Sequence, residues 1–77
     1  MNITVYSTPT CPFCHMVKDY LKQHKIEFKD VNVAEDHKAA MEMIRKSGQQ
    51  GVPVTDVDGK IIVGFDREAL NLALKLG

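Results

Sequence analysis

The chain predicts an α/β domain, a four-stranded mixed sheet flanked by three helices in the order β-α-β-α-β-β-α. Three observations carry this. The opening stretch reads as strand, helix, strand, and such a unit makes a parallel pair joined by a right-handed crossover. Asp58-Gly59, set between two β-prone runs, is the strongest short hairpin signal and adds antiparallel strands to the same sheet. Two further stretches, after Asp36 and after Asp66, place apolar residues at helical spacing behind a capping aspartate.

Taken in order, Ile3 and Val5 with Thr4 and Tyr6 form a short β-prone run ended by Ser7-Thr8-Pro9-Thr10. Phe13, Met16, Val17, Tyr20 and Leu21 then fall three and four apart, which predicts one face of a helix. Pro12 suits its first turn, where a missing N–H costs nothing. Lys18, Lys22 and Lys25 are assigned to the outer face and the C-terminal end, favourable to the helix dipole. Ile26 to Val33 predicts a second strand. Asp36 is expected to cap a second helix that turns Ala40, Met43, Ile44 and Met41 inward and stops at Gly48 in a left-handed cap. The hairpin strands are read as Val52 to Val57 and Lys60 to Val63. Asp66 caps a last helix through Leu76, with more apolar residues than one stripe needs. A monomer is expected, with a homodimer through that surplus as the alternative.

Ten basic and ten acidic side chains cancel, so no field of either sign exists to attract nucleic acid or an anionic membrane. Residues 1–77 are read as a single domain. No basic run followed by a long apolar stretch marks a secretory signal. Ile61-Ile62-Val63 is as long as any unbroken apolar run, against the ~20 residues that span a bilayer. The expected compartment is the cytoplasm, where cysteines stay reduced.

The chain holds two cysteines, Cys11 and Cys14. A disulfide between them would close a loop too short to constrain the unfolded chain much, so a structural staple is a poor reading. At the junction of a strand and a helix the same pair makes chemical sense. Cys11 falls at the helix N-terminus, where free amides and the dipole favour an anionic sulfur. Cys14 lies about one turn further in, placed to attack a mixed disulfide formed on Cys11. Pro12 stiffens the turn, and Phe13 offers an apolar surface beside the sulfur. This spacing near a β-α-β unit reads as a redox motif.

Other readings share these residues. Cys11-Pro12-Phe13-Cys14-His15 also fits a haem attachment pattern, with Met41 or Met43 as a distant axial ligand. That chemistry needs an exported chain. Zinc would need ligands that His24 and His37, with twelve residues between them, do not supply at the usual spacing. An iron–sulfur cluster carried through Cys11 and Cys14 is the remaining non-enzymatic alternative. His15 is read as a surface helix residue. Pro53 lacks an N–H and must take the end or edge of its strand, and from the residues alone its peptide bond is expected to be trans. Val52 beside it offers backbone groups for pairing with an extended peptide.

Thr10-Cys11-Pro12-Phe13-Cys14-His15, Gly51-Val52-Pro53 and Val63-Gly64-Phe65-Asp66 resemble the glutaredoxin family, and the likeness runs the whole length of the chain. It implies the minimal thioredoxin-like fold and thiol–disulfide oxidoreductase activity. It implies Cys11 as nucleophile, Cys14 as resolving thiol and Pro53 as a cis-proline shaping the substrate groove. Val52 would bond the cysteinyl part of glutathione, and Gly64-Phe65-Asp66 would hold its γ-glutamyl end. No cofactor is expected to stay bound; glutathione is the expected reductant or co-substrate, and disulfide-bearing proteins are the expected substrates. The departures are Thr8 and Gln49, where glutaredoxins commonly carry cations for the glycyl carboxylate, with Arg45 and Lys46 as nearby replacements. Gly51 stands for the usual threonine, Val63 for a glycine and Phe13 for a tyrosine. Gly64-Phe65 is also similar to small redoxins that serve ribonucleotide reductase and take electrons from thioredoxin reductase, although Ile62-Val63 departs from their tryptophan and serine.

Overall fold

The computed structural model describes residues 1–75. Along the chain come β1 (Ile3–Ser7), α1 (Pro12–Gln23), β2 (Lys29–Asn32), α2 (His37–Ser47), β3 (Val54–Val57), β4 (Lys60–Val63) and α3 (Arg67–Leu74). Leu76, the expected end of the last helix, lies outside the described residues. The sheet order is β2-β1-β3-β4, with β1 parallel to β2, antiparallel to β3, and β3 antiparallel to β4. This is the predicted mixed sheet. Its centre, β1, is nearly continuous in burial because strands lie on both sides and helices on both faces.

Alternation along β1 divides the core in two. Ile3 and Val5 face Val17, Tyr20 and Leu21 of α1 and Leu70, Ala73 and Leu74 of α3. Tyr6 faces Ala39 and Met43 of α2. α1 and α3 therefore share one face of the sheet and α2 covers the other. Both predicted N-caps form: the Asp36 and Asp66 carboxylates accept from the Ala39 and Ala69 amides, each at 3.0 Å. The hairpin forms as expected, since Asp58 (φ 50°) and Gly59 (φ 93°) both take the positive φ that its tight turn needs.

Several expectations about the helices and β2 need correction. Ile26 does not begin β2. Its N–H donates to the Leu21 carbonyl at 2.9 Å while Lys25, left-handed at φ 56°, donates to Lys22, so Ile26 closes the end of α1 in a Schellman motif. Phe13 and Met16 fit the inner face of α1 by spacing yet stay exposed, and Cys14 fills the buried position instead. On α2, Ala39 and Met43 are buried while Met41 is exposed. Lys18 is largely covered, and Leu72 is the large apolar residue of α3 left in solvent.

Under α2, Lys46 Nζ donates to Asp56 Oδ2 and to the Tyr6 hydroxyl, each at 2.8 Å, and pairs with Glu42 at 3.2 Å. Burial alone would raise the Asp56 carboxyl; the Lys46 hydrogen bond, the Gly59 amide and the Lys46 charge outweigh it and hold the group below its usual range. A depressed acid stabilises the fold above its unfolded value, and that contribution is lost as pH falls through the folded value. Asp56→Asn should therefore cost about 1.5–3 kcal/mol at neutral pH, the scale of a hydrogen bond to a charged group. It should also flatten the loss of stability below about pH 4, where the wild-type acid titrates. Urea unfolding at stepped pH reads both; an unchanged acid limb would refute the assignment.

Candidate active site

The loop after β1 sets the first turn of α1. Cys11 is the N-cap residue (φ −100°, ψ 109°) and Pro12 occupies the first turn. The Cys11 amide donates to the Thr8 carbonyl at 3.4 Å, and the His15 amide donates to the Cys11 carbonyl at 3.3 Å. Cys11 Sγ takes the place that a serine or aspartate oxygen takes at other caps, accepting from the Cys14 amide at 3.2 Å. A sulfur held against a helix N-terminus gains from the dipole as it becomes anionic.

The two thiols are free and unequal. Cys11 is partly open, whereas Cys14 is 0% exposed. Burial pushes the Cys14 thiol up to about 11, helped by its hydrogen bond with Cys11 and by like charge there. The Thr8 backbone and the Lys18 ammonium pull the other way. One thiol is thus presented to solvent and its neighbour kept protonated behind it.

The Val52-Pro53 peptide bond is cis, as the family resemblance implies and against the expectation from the residues alone. Pro53 is buried and precedes β3, which begins at Val54 rather than Val52. The Cys11 thiol donates to the Val52 carbonyl at 3.7 Å, which sets this segment beside the sulfur. The Gly64 amide donates to the Pro53 carbonyl at 2.8 Å and so ties the start of Gly64-Phe65-Asp66 to the same place. Gly64, at φ 78°, has a conformation that a side chain would strain.

Cys11, Cys14, Val52, Pro53 and Gly64 are therefore brought together, with Pro12 and Phe13 exposed on the turn between the thiols. Asp66 follows as the exposed cap of α3. Phe65 differs. Its ring meets Tyr20 edge-on with centroids 6.1 Å apart, lining a cavity of about 450 Å³ with Met16, His24 and Arg67.

Sequence reasoning missed Gln49 as a structural group. Its amide donates to the Gly51 carbonyl at 2.9 Å and accepts from the Gly51 amide at 2.6 Å, bracing the turn before Val52. A Cβ on Gly51 would come within 2.7 Å of Gln49 Oε1, so glycine is what lets this amide close. Of the two replacement cations, Lys46 is held by Asp56, Glu42 and Tyr6, while Arg45 is exposed. The place of Lys18 beside the site was also missed; its helical spacing from Cys14 was the available signal.

Of the two methionines considered as axial ligands for haem, Met43 is buried beneath α2 on the opposite sheet face and Met41 is exposed on α2. His15 Nε2 lies 3.1 Å from the Pro9 carbonyl. Among the described residues, no group of three or more His, Cys, Asp or Glu is gathered to hold a metal ion.

The glutaredoxin family model matches residues 3–62. An uncharacterized glutaredoxin-like 8.6 kDa protein in the rubredoxin operon of Clostridium pasteurianum is 54% identical over 69 residues, 90% of this chain and 92% of its own. Glutaredoxin 3 of Escherichia coli K12 is 32% identical over 65 residues, 84% of this chain and 78% of its own. The solved structure of NrdH-redoxin from Escherichia coli, described as a glutaredoxin-like protein with a thioredoxin-like activity profile, superposes with a TM-score of 0.83 at 28% identity. That match covers 94% of this chain and 93% of the other.

Proposed function

The chain belongs to the glutaredoxin family, and from that membership we propose that it reduces protein disulfides or glutathione mixed disulfides through Cys11 and Cys14. The observation that carries the reading is the asymmetry of the pair: a partly open sulfur capping α1 and a fully buried thiol whose amide bonds it. The Cys11 thiolate attacks a substrate disulfide, joins one sulfur and releases the other as a thiol. Cys14 then attacks Cys11 Sγ, forms the intramolecular disulfide and frees the second substrate sulfur. Val52, beside Cys11, would pair with the backbone next to the reacting cysteine, and the α3 N-terminus at Gly64-Phe65-Asp66 would receive a carboxylate. The proposed setting is the cytoplasm. Among the described residues, no helix is long and apolar enough to cross a membrane.

Glutathione is the proposed electron donor and no resident cofactor is invoked. Thioredoxin reductase is the second reading, favoured by a specific feature: Thr8 is uncharged, the Gln49 amide is spent on Gly51, and Lys46 is spent on Asp56. Each missing charge-assisted bond to a glutathione carboxylate is worth about 1.5–3 kcal/mol. Thr8→Lys should therefore improve glutathione use by about tenfold or more, read chiefly as a lower KM. Reduction of the oxidised protein by glutathione and by thioredoxin reductase, measured side by side, tests the donor. Turnover with the reductase alone, in both wild type and Thr8→Lys, would move the donor to the second reading.

A further inference from the structure

Lys18 reads in sequence as a surface cation, yet its side chain is only 15% exposed. It follows Cys14 by four positions on α1, so the two share one side of the helix. Its Nζ donates to Asp30 Oδ2 at 3.1 Å and to Ser7 Oγ at 3.5 Å. The buried Ser7 hydroxyl in turn donates to Asp30 Oδ1 at 2.8 Å. Ser7 and Asp30 belong to β1 and β2, so the sheet fixes where this ammonium sits. A lysine stem left free would sample many positions.

We propose that Lys18 is the positioning residue of the resolving step: anchored by Asp30 and Ser7, its ammonium stabilises the negative charge that Cys14 must develop to attack the mixed disulfide on Cys11. The inference rests on the two-thiol function proposed above. In that step the Cys14 S–H bond breaks and its sulfur forms a bond to Cys11 Sγ. The bond from Cys11 to the substrate sulfur breaks, and the departing thiolate takes up the proton. In this step the Cys14 sulfur passes from thiol to disulfide, the substrate sulfur passes from disulfide to thiol and Cys11 stays at the disulfide level, so no outside oxidant or reductant enters.

Cys14 needs such help because burial disfavours its charged form. The groups acting on it are Cys11 from the cap, Thr8 from the β1–α1 link and Lys18 from its own helix, with Asp30 of β2 behind Lys18. On α3, Arg67 is engaged over the Tyr20 ring at 5.7 Å. Lys18 is thus the cation that acts on this thiol, and Asp30 partly offsets its charge while holding it in place.

Reduced protein mixed with the chromogenic disulfide dithiobis(nitrobenzoate) releases one coloured thiol when Cys11 attacks and a second when Cys14 resolves. Stopped-flow absorbance separates the two phases. A tenfold loss of thiolate, partly offset by the greater nucleophilicity of a less acidic thiol, predicts that Lys18→Met slows the second phase about three- to tenfold. Its pH profile should move upward, the first phase should stay within about twofold, and Lys18→Arg should recover most of the second-phase rate. Lys18→Gln provides a second neutral variant should the methionine perturb folding. An unchanged second phase in both neutral variants would overturn the proposal, as would equal slowing of both phases. If the wild type itself released only one coloured thiol, the two-thiol function would fall, and this inference with it.

Discussion

Cys11→Ser is expected to reduce turnover to the uncatalysed rate in a mixed-disulfide reduction assay, a loss of at least about a thousandfold, the scale at which removing a nucleophile silences an enzyme. The reaction begins with a thiolate attacking a disulfide sulfur, and a serine hydroxyl neither ionises near neutral pH nor makes a disulfide bond. The substitution is also structurally mild. Cys11 caps α1 by accepting the Cys14 amide, and serine is among the strongly preferred residues at that position. The variant should keep its melting temperature or gain slightly, so lost activity cannot be assigned to lost fold. Reduction of a glutathionylated peptide, followed together with thermal unfolding, checks both halves. Substantial residual activity in a folded Cys11→Ser protein would remove Cys11 from its role, and with it the proposed function.

Local signals in the sequence carried much of this architecture because each acts over a few residues. Asp36 and Asp66 cap the helices that follow them, and Asp58-Gly59 makes the hairpin turn. Cys11 and Cys14 needed only their spacing and the strand-to-helix junction to be singled out. What stayed hidden depends on partners far along the chain. Periodicity places Phe13 and Met16 on the same face as Val17 and Leu21, but it cannot say where the neighbouring elements stop covering that face. Ile26 looks like a strand residue until its amide is needed to close α1. Lys18 joins Asp30 across the β1–α1–β2 crossover, and the parallel register that aligns Ser7 with Asn32 decides this contact. The cis bond before Pro53 follows from no local residue preference, since most such bonds are trans, and came only through the family resemblance.

Cys14→Ser is expected to split the two activities. Reduction of a protein disulfide should fall about a hundredfold or more, while reduction of a glutathione mixed disulfide should stay within several-fold of wild type. Cys14 is fully buried, and burial pushes its thiol up to about 11, so little of it is ionised at neutral pH. Such a thiol would be a poor nucleophile in free solution. Tethered one turn from Cys11 it gains an effective concentration of up to ~10⁵–10⁸ M, which more than offsets the ionisation deficit. A protein mixed disulfide on Cys11 depends on that advantage, because a bulky partner obstructs any thiol arriving from solvent. A glutathione mixed disulfide does not, because a second glutathione is small enough to reach it. The variant incubated with a disulfide-bearing protein should therefore accumulate a covalent adduct through Cys11, visible by mass under non-reducing conditions, while its deglutathionylation continues. Equal loss in the two assays without a trapped adduct would mean that Cys14 supports the site structurally and takes no part in resolving the disulfide.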